Sequence, residues 1–216
     1  MLRSMVTVHH LGLSQSERIV WLCEELEIPY ELVVHARDGV TRLAPPSYKA
    51  LHPAGTAPVI ADGELVLAES GAIIEYLIDR HGGGRFRVAP DAPNFADYLF
   101  WFHFANGSMM PNQLLGLVLG VLPDGGGSLG TRMATRRHHN YALVETRLGQ
   151  MGYFAGNELT AADINMVFTL TTIRRFLPQD LAHFPNVRAY LQRIGARPAY
   201  QRAMAKADPG FEPLLQ

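Results

Sequence analysis

The 216-residue sequence predicts an α/β domain followed by an all-α domain. Near the beginning of the chain, strand and helix patterns alternate as strand, helix, strand within roughly thirty residues, which is the arrangement of a βαβ unit. After residue 94, by contrast, apolar residues recur at helical spacing and no strand pattern is convincing. Hydrophobic residues make up 48% of the chain, so it can bury a substantial core.

The βαβ unit extends over residues 6–34. Residues 6–11 form an apolar strand with no breaker before Gly12. The next helix is indicated by apolar residues that share one face: Ile19, Val20, Leu22, Cys23 and Leu26. Its opposite face carries Glu24, Glu25 and Glu27. Pro29 stops this helix, and residues 30–34 have the composition of a second strand, parallel to the first.

A hairpin and a further helix complete the α/β domain. Residues 58–60 and 65–67 flank a turn at Gly63, which predicts two short strands that join the same sheet. Helical spacing then returns over residues 73–78 and ends at His81, before a cluster of glycines. These patterns divide the chain into three parts: a first domain over 1–82, a linker over 83–93 and an all-helical domain over 94–216.

The second domain is predicted to be helical throughout, with a flexible, Gly-rich loop at residues 124–130. Its helices are expected in four places: residues 98–110, 131–151, 161–175 and 187–194. No internal repeat is visible in either domain.

Charge and hydropathy exclude several classes of function. A formal net charge of −1 and a pI near 6.8 leave no basic field of the kind that nucleic-acid backbones require. The longest apolar stretch, residues 113–123, is too short to span a bilayer, and the chain does not open with a basic region followed by an apolar one. We therefore expect a cytoplasmic protein that has neither nucleic acid nor a membrane as a partner.

The single cysteine, Cys23, excludes an intramolecular disulfide and a thiolate metal cluster. It lies on the apolar face of the first helix, where it is either an inert core residue or an accessible thiol. No metal site is expected. Of His9 and His10, at the end of the first strand, one is expected to be buried and structural.

Residues 13–18 place hydroxyl side chains at the turn before the first helix. A helix N-terminus carries roughly half a positive charge, so Ser14 and the first-turn amides form a site suited to an anion. Ser14-x-x-Glu17 also fits a capping box, in which the hydroxyl only accepts a hydrogen bond from the backbone. Ser16 is the alternative to Ser14.

Five motifs follow one another along the chain: residues 13–18 (LSQSER), 52–59 (HPAGTAPV), 68–73 (AESGAI), 159–164 (LTAADI) and 196–200 (ARPAY). Their order and spacing resemble those of cytosolic glutathione S-transferases. Residues 5–79 are similar to the thioredoxin-like domain of that family, and residues 94–216 are similar to its all-helical domain. Each motif is weak by itself, whereas their succession is specific.

The resemblance implies an enzyme that binds glutathione as a co-substrate and uses its thiolate on a small hydrophobic electrophile or on a peroxide. Ser14 would then donate its hydroxyl hydrogen to the sulfur. Lowering a thiol pKa from ~8.5 by about two units requires ~2.7 kcal/mol. A charge-assisted hydrogen bond supplies ~1.5–3 kcal/mol and the helix end ~0.3–1 kcal/mol, so no cationic side chain is needed.

The resemblance also implies glutathione contacts on the loop that precedes the hairpin. In the family the bond corresponding to Ala57–Pro58 is cis, and the backbone of Ala57 pairs with the cysteinyl part of glutathione like an added strand. Thr56 stands where many relatives carry Lys or Gln, so its contact with the glycyl carboxylate is expected to be shorter or absent. His52 either reaches the glycyl end or is a solvated loop residue.

Glu69 and Ser70 precede and open the third helix, where the resemblance implies binding of the γ-glutamyl end of glutathione. Ser70 would face its carboxylate and Glu69 its ammonium group. An ordinary N-cap pair is the alternative. Thr160 and Asp163 fit a capping box whose role is in folding.

An electrophile pocket is expected on the first helix of the second domain, where aromatic residues and methionines cluster. The candidate residues are Phe102, Asn106 and Met110, and the alternative is that they belong to the core or to a subunit interface.

Two other functional classes remain in consideration beside the transferase. Glutathione-dependent thiol exchangers use a cysteine where this chain has Ser14, which argues against that class. A non-catalytic, transferase-like binding or regulatory protein is the alternative function. The resemblance further implies a homodimer.

Overall fold

The computed structural model describes residues 5–216. The predicted first domain begins at residue 1, so its first four residues lie outside the described range. The elements follow one another along the chain as β1 (Val6–Leu11), α1 (Glu17–Leu26), β2 (Tyr30–His35), α2 (Pro46–Lys49), β3 (Val59–Asp62), β4 (Leu65–Ala68), α3 (Ser70–Arg80), α4 (Phe95–Phe104), a π-helical turn (Ala105–Met109), α5 (Met110–Gly120), α6 (Gly127–Gln150), α7 (Ala161–Leu170), a 3-10 turn (Thr172–Arg175), α8 (Pro185–Gly195) and α9 (Pro198–Ala207).

The described chain divides into two compact units. Unit 1 contains the residues up to Arg87 together with Ala196–Pro213, and unit 2 contains Val88–Gly195 with Leu214–Gln216. The change from unit 1 to unit 2 falls inside the predicted linker 83–93. Helix α9, which the sequence assigned to the all-helical domain, packs instead with unit 1.

Unit 1 is built on a four-stranded sheet in the order β2-β1-β3-β4. Strands β1 and β2 are parallel and connected through α1, while β1 with β3 and β3 with β4 are antiparallel. The predicted βαβ unit and the hairpin are therefore both confirmed. Gly63, at φ +62°, supplies the left-handed conformation that the hairpin turn requires.

Helix α1 is buried on both faces, including the face that carries Glu24 and Glu25. Glu24 and Glu25 are only 7% and 6% exposed, because α9 covers them. Arg197 forms a bidentate ion pair with Glu25 at 2.6 and 2.8 Å. Arg202 and Lys206, both on α9, bind Glu24. The acidic side of α1 is thus an interface with a basic helix, and Glu27 is the member of the three that stays exposed.

Cationic partners determine the ionisation of Glu24. Burial by itself raises the pKa of this carboxyl, but hydrogen bonds from Lys206, Arg202 and the Tyr30 hydroxyl outweigh it and hold the pKa below its ordinary value. The contact between α1 and α9 is therefore built around charged carboxylates.

Unit 2 is helical, as predicted, but its first helices differ from the sequence prediction. The helix expected over 98–110 ends as α4 at Phe104, passes through the π-helical turn and continues as α5 to Gly120. Within α5, a Cβ at Gly116 would lie 3.1 Å from a Leu177 methyl carbon, so the glycine allows close packing. Helix α6 begins at Gly127, inside the loop predicted over 124–130.

The remaining helical predictions in unit 2 are confirmed with small changes of limits. The helix expected over 161–175 divides into α7 and the 3-10 turn, and the helix expected over 187–194 lies within α8. Within residues 5–216, none of the helices combines the length and the apolar composition needed to cross a membrane.

Candidate active site

Three segments named by the sequence analysis meet at one end of the sheet of unit 1. In the ladders, His9 lies opposite Val59, and Val59 lies opposite Ala68. Strand β1 therefore leaves the sheet where β3 enters it and where β4 leaves it. The serine turn after β1, the Ala57–Pro58 bond before β3 and the Glu69–Ser70 pair after β4 all lie at this end, which we call the site edge.

The serine turn does not form the capping box that the sequence allowed. Helix α1 has Ser16 as its N-cap residue, with no side-chain hydrogen bond to the helix backbone. The amides of Glu17 and Ile19 bond instead to the carbonyls of Ser14 and Ser16, at 3.1 and 3.0 Å. The first-turn amides are thus already paired, and the hydroxyls remain available for other partners.

A chain of hydrogen bonds connects Ser14 to a carboxylate. The Ser14 and Ser16 Oγ atoms are 2.7 Å apart, and Ser16 Oγ lies 2.9 Å from His10 Nδ1. On the other side of the ring, His10 Nε2 lies 3.2 Å from Asp208 Oδ2. His10 and Ser16 are fully buried, while Ser14 is 5% exposed at the outer end of the chain. The expectation that one of the two strand-end histidines is buried is confirmed for His10.

Two charged side chains hold the backbone of the turn. Asp208 Oδ1 accepts a hydrogen bond from the Leu13 amide at 2.8 Å. Arg37 donates from Nε to the Gly12 carbonyl at 2.7 Å and from its second terminal nitrogen to the Leu13 carbonyl at 3.2 Å. Leu13 has a φ of +50°, a conformation that non-glycine residues adopt rarely and that clusters at functional sites.

Ser70 lies at the site edge beside a buried arginine. It is 2% exposed, and its Oγ accepts a hydrogen bond at 3.1 Å from Arg18, which also donates to the Gln15 side chain at 3.0 Å. Burial lowers the pKa of Arg18 to about 9, against the opposing effect of Glu17. Arg18 therefore places a guanidinium next to the residue expected to face a carboxylate.

Glu69 has an unusual backbone and an exposed side chain. Its φ of +73° and ψ of +116° lie outside the regions that non-glycine residues favour. Held in this conformation, Glu69 presents its side chain at the site edge while Ser70 begins α3.

The loop before β3 agrees with what the resemblance implied for its backbone. The Ala57–Pro58 bond is cis, Thr56 is exposed and Ala57 is half-buried. His52 accepts a hydrogen bond from the Ala54 amide at 3.1 Å, so its Nδ1 is engaged within the loop.

Cys23 is a core residue. It is fully buried, and burial together with the nearby Glu24 raises the pKa of its thiol. The interpretation as an accessible thiol is therefore wrong. Among the described residues, no three His, Cys, Asp or Glu side chains are grouped so as to hold a metal ion.

The candidates for the electrophile pocket lie in different surroundings within unit 2. Phe102 is 3% exposed and stacks on Tyr98 with ring centroids 5.9 Å apart, while Met110 packs in a core cluster with Phe168 and Ile173. Asn106 is half-buried on the π-helical turn. The core interpretation accounts for Phe102 and Met110, and their contact with an electrophile stays a prediction.

A cavity of about 690 Å³ that the sequence did not indicate opens on unit 2. It is lined by Phe104 and Ser108 of the α4 region and by residues of α6 that include Arg132, Arg136 and His139. These three basic residues have i, i+4, i+7 spacing, which places them on one face of α6, and this pattern could have predicted a shared basic surface. Asp208 and the connection between Ser16 and His10 were also missed, and no local pattern announces them.

Comparison with known proteins now identifies the family. Residues 9–85 match the model of the glutathione S-transferase N-terminal domain, and residues 133–198 match that of the C-terminal domain. Glutathione S-transferase 3 of Schizosaccharomyces pombe is 31% identical over 218 residues, covering 94% of this chain and 88% of that protein. The chain belongs to the glutathione S-transferase family.

Solved structures of glutathione S-transferases share the fold. One from Actinobacillus pleuropneumoniae is 36% identical, with a TM-score of 0.86 over 95% of each chain. A glutathione transferase of Phanerochaete chrysosporium, solved with oxidized glutathione, has a TM-score of 0.77 at 23% identity, covering 94% of this chain and 95% of its own. The predicted fold class, family and transferase assignment are thereby confirmed.

Proposed function

We propose that this glutathione S-transferase family member binds glutathione along the site edge and holds its sulfur as a thiolate at Ser14. The thiolate then attacks a small apolar electrophile, or reduces a peroxide. The observation that carries the proposal is the position of the Ser14 hydroxyl, beside the N-terminus of α1 and at the same end of the sheet as Ala57 and Ser70.

The contacts of the two serines favour Ser14 over Ser16 as the residue that touches the sulfur. Ser16 is fully buried, and its Oγ is surrounded by His10, the Leu11 amide and Ser14. Ser14, at 5% exposure, is the less buried of the two serines and lies at the end of the hydrogen-bonded chain opposite Asp208, and its Oγ accepts from the Ser16 amide at 3.2 Å. A hydroxyl oxygen takes three hydrogen bonds, so Ser14 has one direction left for a ligand.

The γ-glutamyl end of glutathione matches the chemistry of the site edge. We expect the γ-glutamyl carboxylate at Ser70, where the α3 N-terminus and Arg18 provide positive potential, and the γ-glutamyl ammonium at Glu69. The cysteinyl backbone would pair with Ala57 as an added strand. Thr56 has no charge for the glycyl carboxylate, and His52 is held within its loop, so that end is expected to be bound weakly.

Membership of the family supports a proposal on the partners and the cellular location. We propose a homodimer in the cytoplasm with glutathione as co-substrate, no metal, and an electrophile pocket that includes Phe102, Asn106 and Met110. A monomer in light scattering at working concentration would contradict the dimer.

The test is the ultraviolet thiolate absorbance of glutathione bound to the purified protein as the pH is varied. We expect the bound thiol to ionise about two pH units below the free thiol in the wild type, and to lose most of this shift in Ser14→Ala. Ser70→Ala is the matched control, because it should weaken glutathione binding while the ionisation of what is bound stays unchanged.

Binding without a shift in ionisation would contradict the catalytic proposal and support a non-catalytic glutathione-binding protein. A shift that survives in Ser14→Ala would transfer the role to Ser16 or to the backbone.

A further inference from the structure

The Ser16 hydroxyl lies near more hydrogen-bonding groups than its single proton can donate to. Its Oγ lies 3.1 Å from the Leu11 amide, 2.9 Å from His10 Nδ1 and 2.7 Å from Ser14 Oγ. The Leu11 carbonyl, at 3.4 Å, is beyond the usual range of a hydroxyl hydrogen bond. A hydroxyl donates once and accepts twice. Because the amide uses one acceptor site, Ser16 has one proton and one lone pair for His10 and Ser14.

Asp208 keeps the Nε2 nitrogen of His10 protonated in both charge states of the ring. Its Oδ1 is engaged by the Leu13 amide, and its Oδ2 faces His10 Nε2. A carboxylate only accepts hydrogen bonds, so Nε2 carries a hydrogen in either charge state of the ring. The only variable proton of the imidazole is the one on Nδ1, which faces Ser16.

Two arrangements of the chain follow, and they differ by one proton. When His10 is neutral, Ser16 donates to Nδ1 and Ser14 donates to Ser16, so Ser14 offers only a lone pair to a ligand. When His10 is an imidazolium, Nδ1 donates to Ser16 and Ser16 donates to Ser14, so the Ser14 hydrogen is available. The first arrangement suits a thiol as ligand and the second suits a thiolate.

We propose that His10 receives the proton of the glutathione thiol through Ser14 and Ser16. This inference rests on the proposed function of Ser14. The S–H bond breaks as its proton passes to Ser14 Oγ, the Ser14 proton passes to Ser16 Oγ, and the Ser16 proton forms the new Nδ1–H bond. A neutral thiol and a neutral imidazole become a thiolate and an imidazolium, so no charge is gained or lost.

The surroundings of His10 suit this role. The ring is fully buried, so its Nδ1 exchanges protons through Ser16. Asp208 compensates the positive charge of the imidazolium and fixes the ring orientation, as the aspartate of a Ser-His-Asp triad does. The other charged or titratable groups nearby are Arg37, which holds the turn, and His35, whose pKa is lowered by burial and by His10 and which bonds to His9 at 3.1 Å.

The direct test is nitrogen NMR of the His10 ring in labelled full-length protein. Without glutathione we expect Nε2 protonated and Nδ1 unprotonated. With glutathione at the same pH, Nδ1 should become protonated. S-methylglutathione has no thiol proton and is the matched control, with which Nδ1 should stay unprotonated. An Nδ1 that does not respond to glutathione, while thiolate absorbance is present, would overturn the relay and leave the proposed function intact.

Variants provide a second, independent readout. His10→Gln should raise the pKa of bound glutathione by about one unit, which reduces the fraction present as thiolate at pH 6.5 about fivefold, with little change in glutathione affinity. Asp208→Asn should act in the same direction. Circular dichroism and glutathione binding report whether each variant is folded. Thiolate formation equal to the wild type in a folded His10→Gln would contradict the relay, whereas absence of thiolate in the wild type would contradict the proposed function itself.

Discussion

Two helix N-termini in this protein carry the same sequence pattern and use it differently. At α7, Thr160-x-x-Asp163 forms a complete capping box. At α1, Ser14-x-x-Glu17 forms none, and Ser16, the N-cap residue, directs its hydroxyl to His10 and Ser14. The side chains at the start of α7 cap their own helix, whereas the hydroxyls at the start of α1 bond to each other and to His10.

The partners of the α7 turn lie in its own backbone and core. Thr160 Oγ1 accepts from the Ala162 amide at 3.3 Å, and Asp163 accepts from the Thr160 amide at 2.9 Å. Asp163 also accepts from the Phe154 amide and the Tyr190 hydroxyl, both at 3.1 Å. The buried Asp163 carboxylate thus accepts from neutral donors.

At the α1 turn a histidine and a second hydroxyl compete with the backbone for the side chains. His10 and Ser16 approach because β1 ends directly beneath the turn, and Asp208 reaches them from the end of α9. A hydroxyl therefore caps a helix only where no stronger partner is placed beside it.

The largest effect is expected at the α7 turn. Asp163→Ala removes the acceptor of four buried donors, the Thr160 amide and hydroxyl, the Phe154 amide and the Tyr190 hydroxyl, and should lower the free energy of unfolding by about 3–5 kcal/mol. Urea denaturation measures it. Asp124→Ala, an exposed aspartate near the start of α6, is the control, and a loss of less than about 1 kcal/mol in Asp163→Ala would contradict the role of the box.

The free energy of unfolding should depend on pH because of Asp163, whose buried carboxylate accepts from neutral donors. Burial raises its pKa to about 6, although hydrogen bonds from Thr160, Phe154 and Tyr190 oppose the shift. The unfolded value is about 3.9, so between these values the folded state binds more protons and stability falls as the pH rises, by about 3 kcal/mol in total. Denaturation from pH 4 to 7 should show this slope in the wild type, and an equal slope in Asp163→Asn would refute it.

A substitution in the serine turn before α1 should lower kcat/KM and change the free energy of unfolding very little. Ser14→Ala is expected to lower kcat/KM with glutathione and a model aryl halide about 100-fold, which corresponds to ~2.7 kcal/mol, because the thiolate loses its hydrogen-bond donor. Its free energy of unfolding should change by less than about 1 kcal/mol, since the Ser14 hydroxyl bonds to the amide and the hydroxyl of Ser16 and to none of the amides within α1. A large loss of stability would show that the hydroxyl supports the fold after all.

The smallest effect is expected when the Thr160 hydroxyl is removed, and it allows a direct comparison with the Ser14 hydroxyl. Thr160→Ala should cost about 1 kcal/mol of stability, the usual value of an N-cap, and leave kcat/KM unchanged. Its thermal denaturation and steady-state kinetics, measured beside those of Ser14→Ala, should give the opposite pattern. The same pattern in both variants would remove the distinction between the turns.

Sequence patterns predicted most of the fold because they report local periodicity. The alternation of β1, α1 and β2, the hairpin at Gly63 and the box at Thr160 all depend on residues close together in the chain. The burial of Glu24 and Glu25 escaped prediction because α9, which covers them, lies more than 170 residues further along the chain.

The residues of the candidate site also divide into those that short motifs predicted and those that depend on contacts between distant parts of the chain. Ser14, Ala57 and Ser70 were found from motifs, whereas the contact between His10 and Asp208 joins residues 198 positions apart. No local spacing encodes such a pair, since it forms only when α9 packs on α1 and brings the end of the helix to the serine turn.

The sequence by itself determined the family, the βαβ order, the helical second part and the position of a hydroxyl before α1, because each of these is written in periodicity or in a short motif. Only the tertiary structure decided what the hydroxyls do. A hydroxyl bonds to the strongest partner within about 3 Å, and whether that partner is its own helix or a distant histidine depends on how the chain packs.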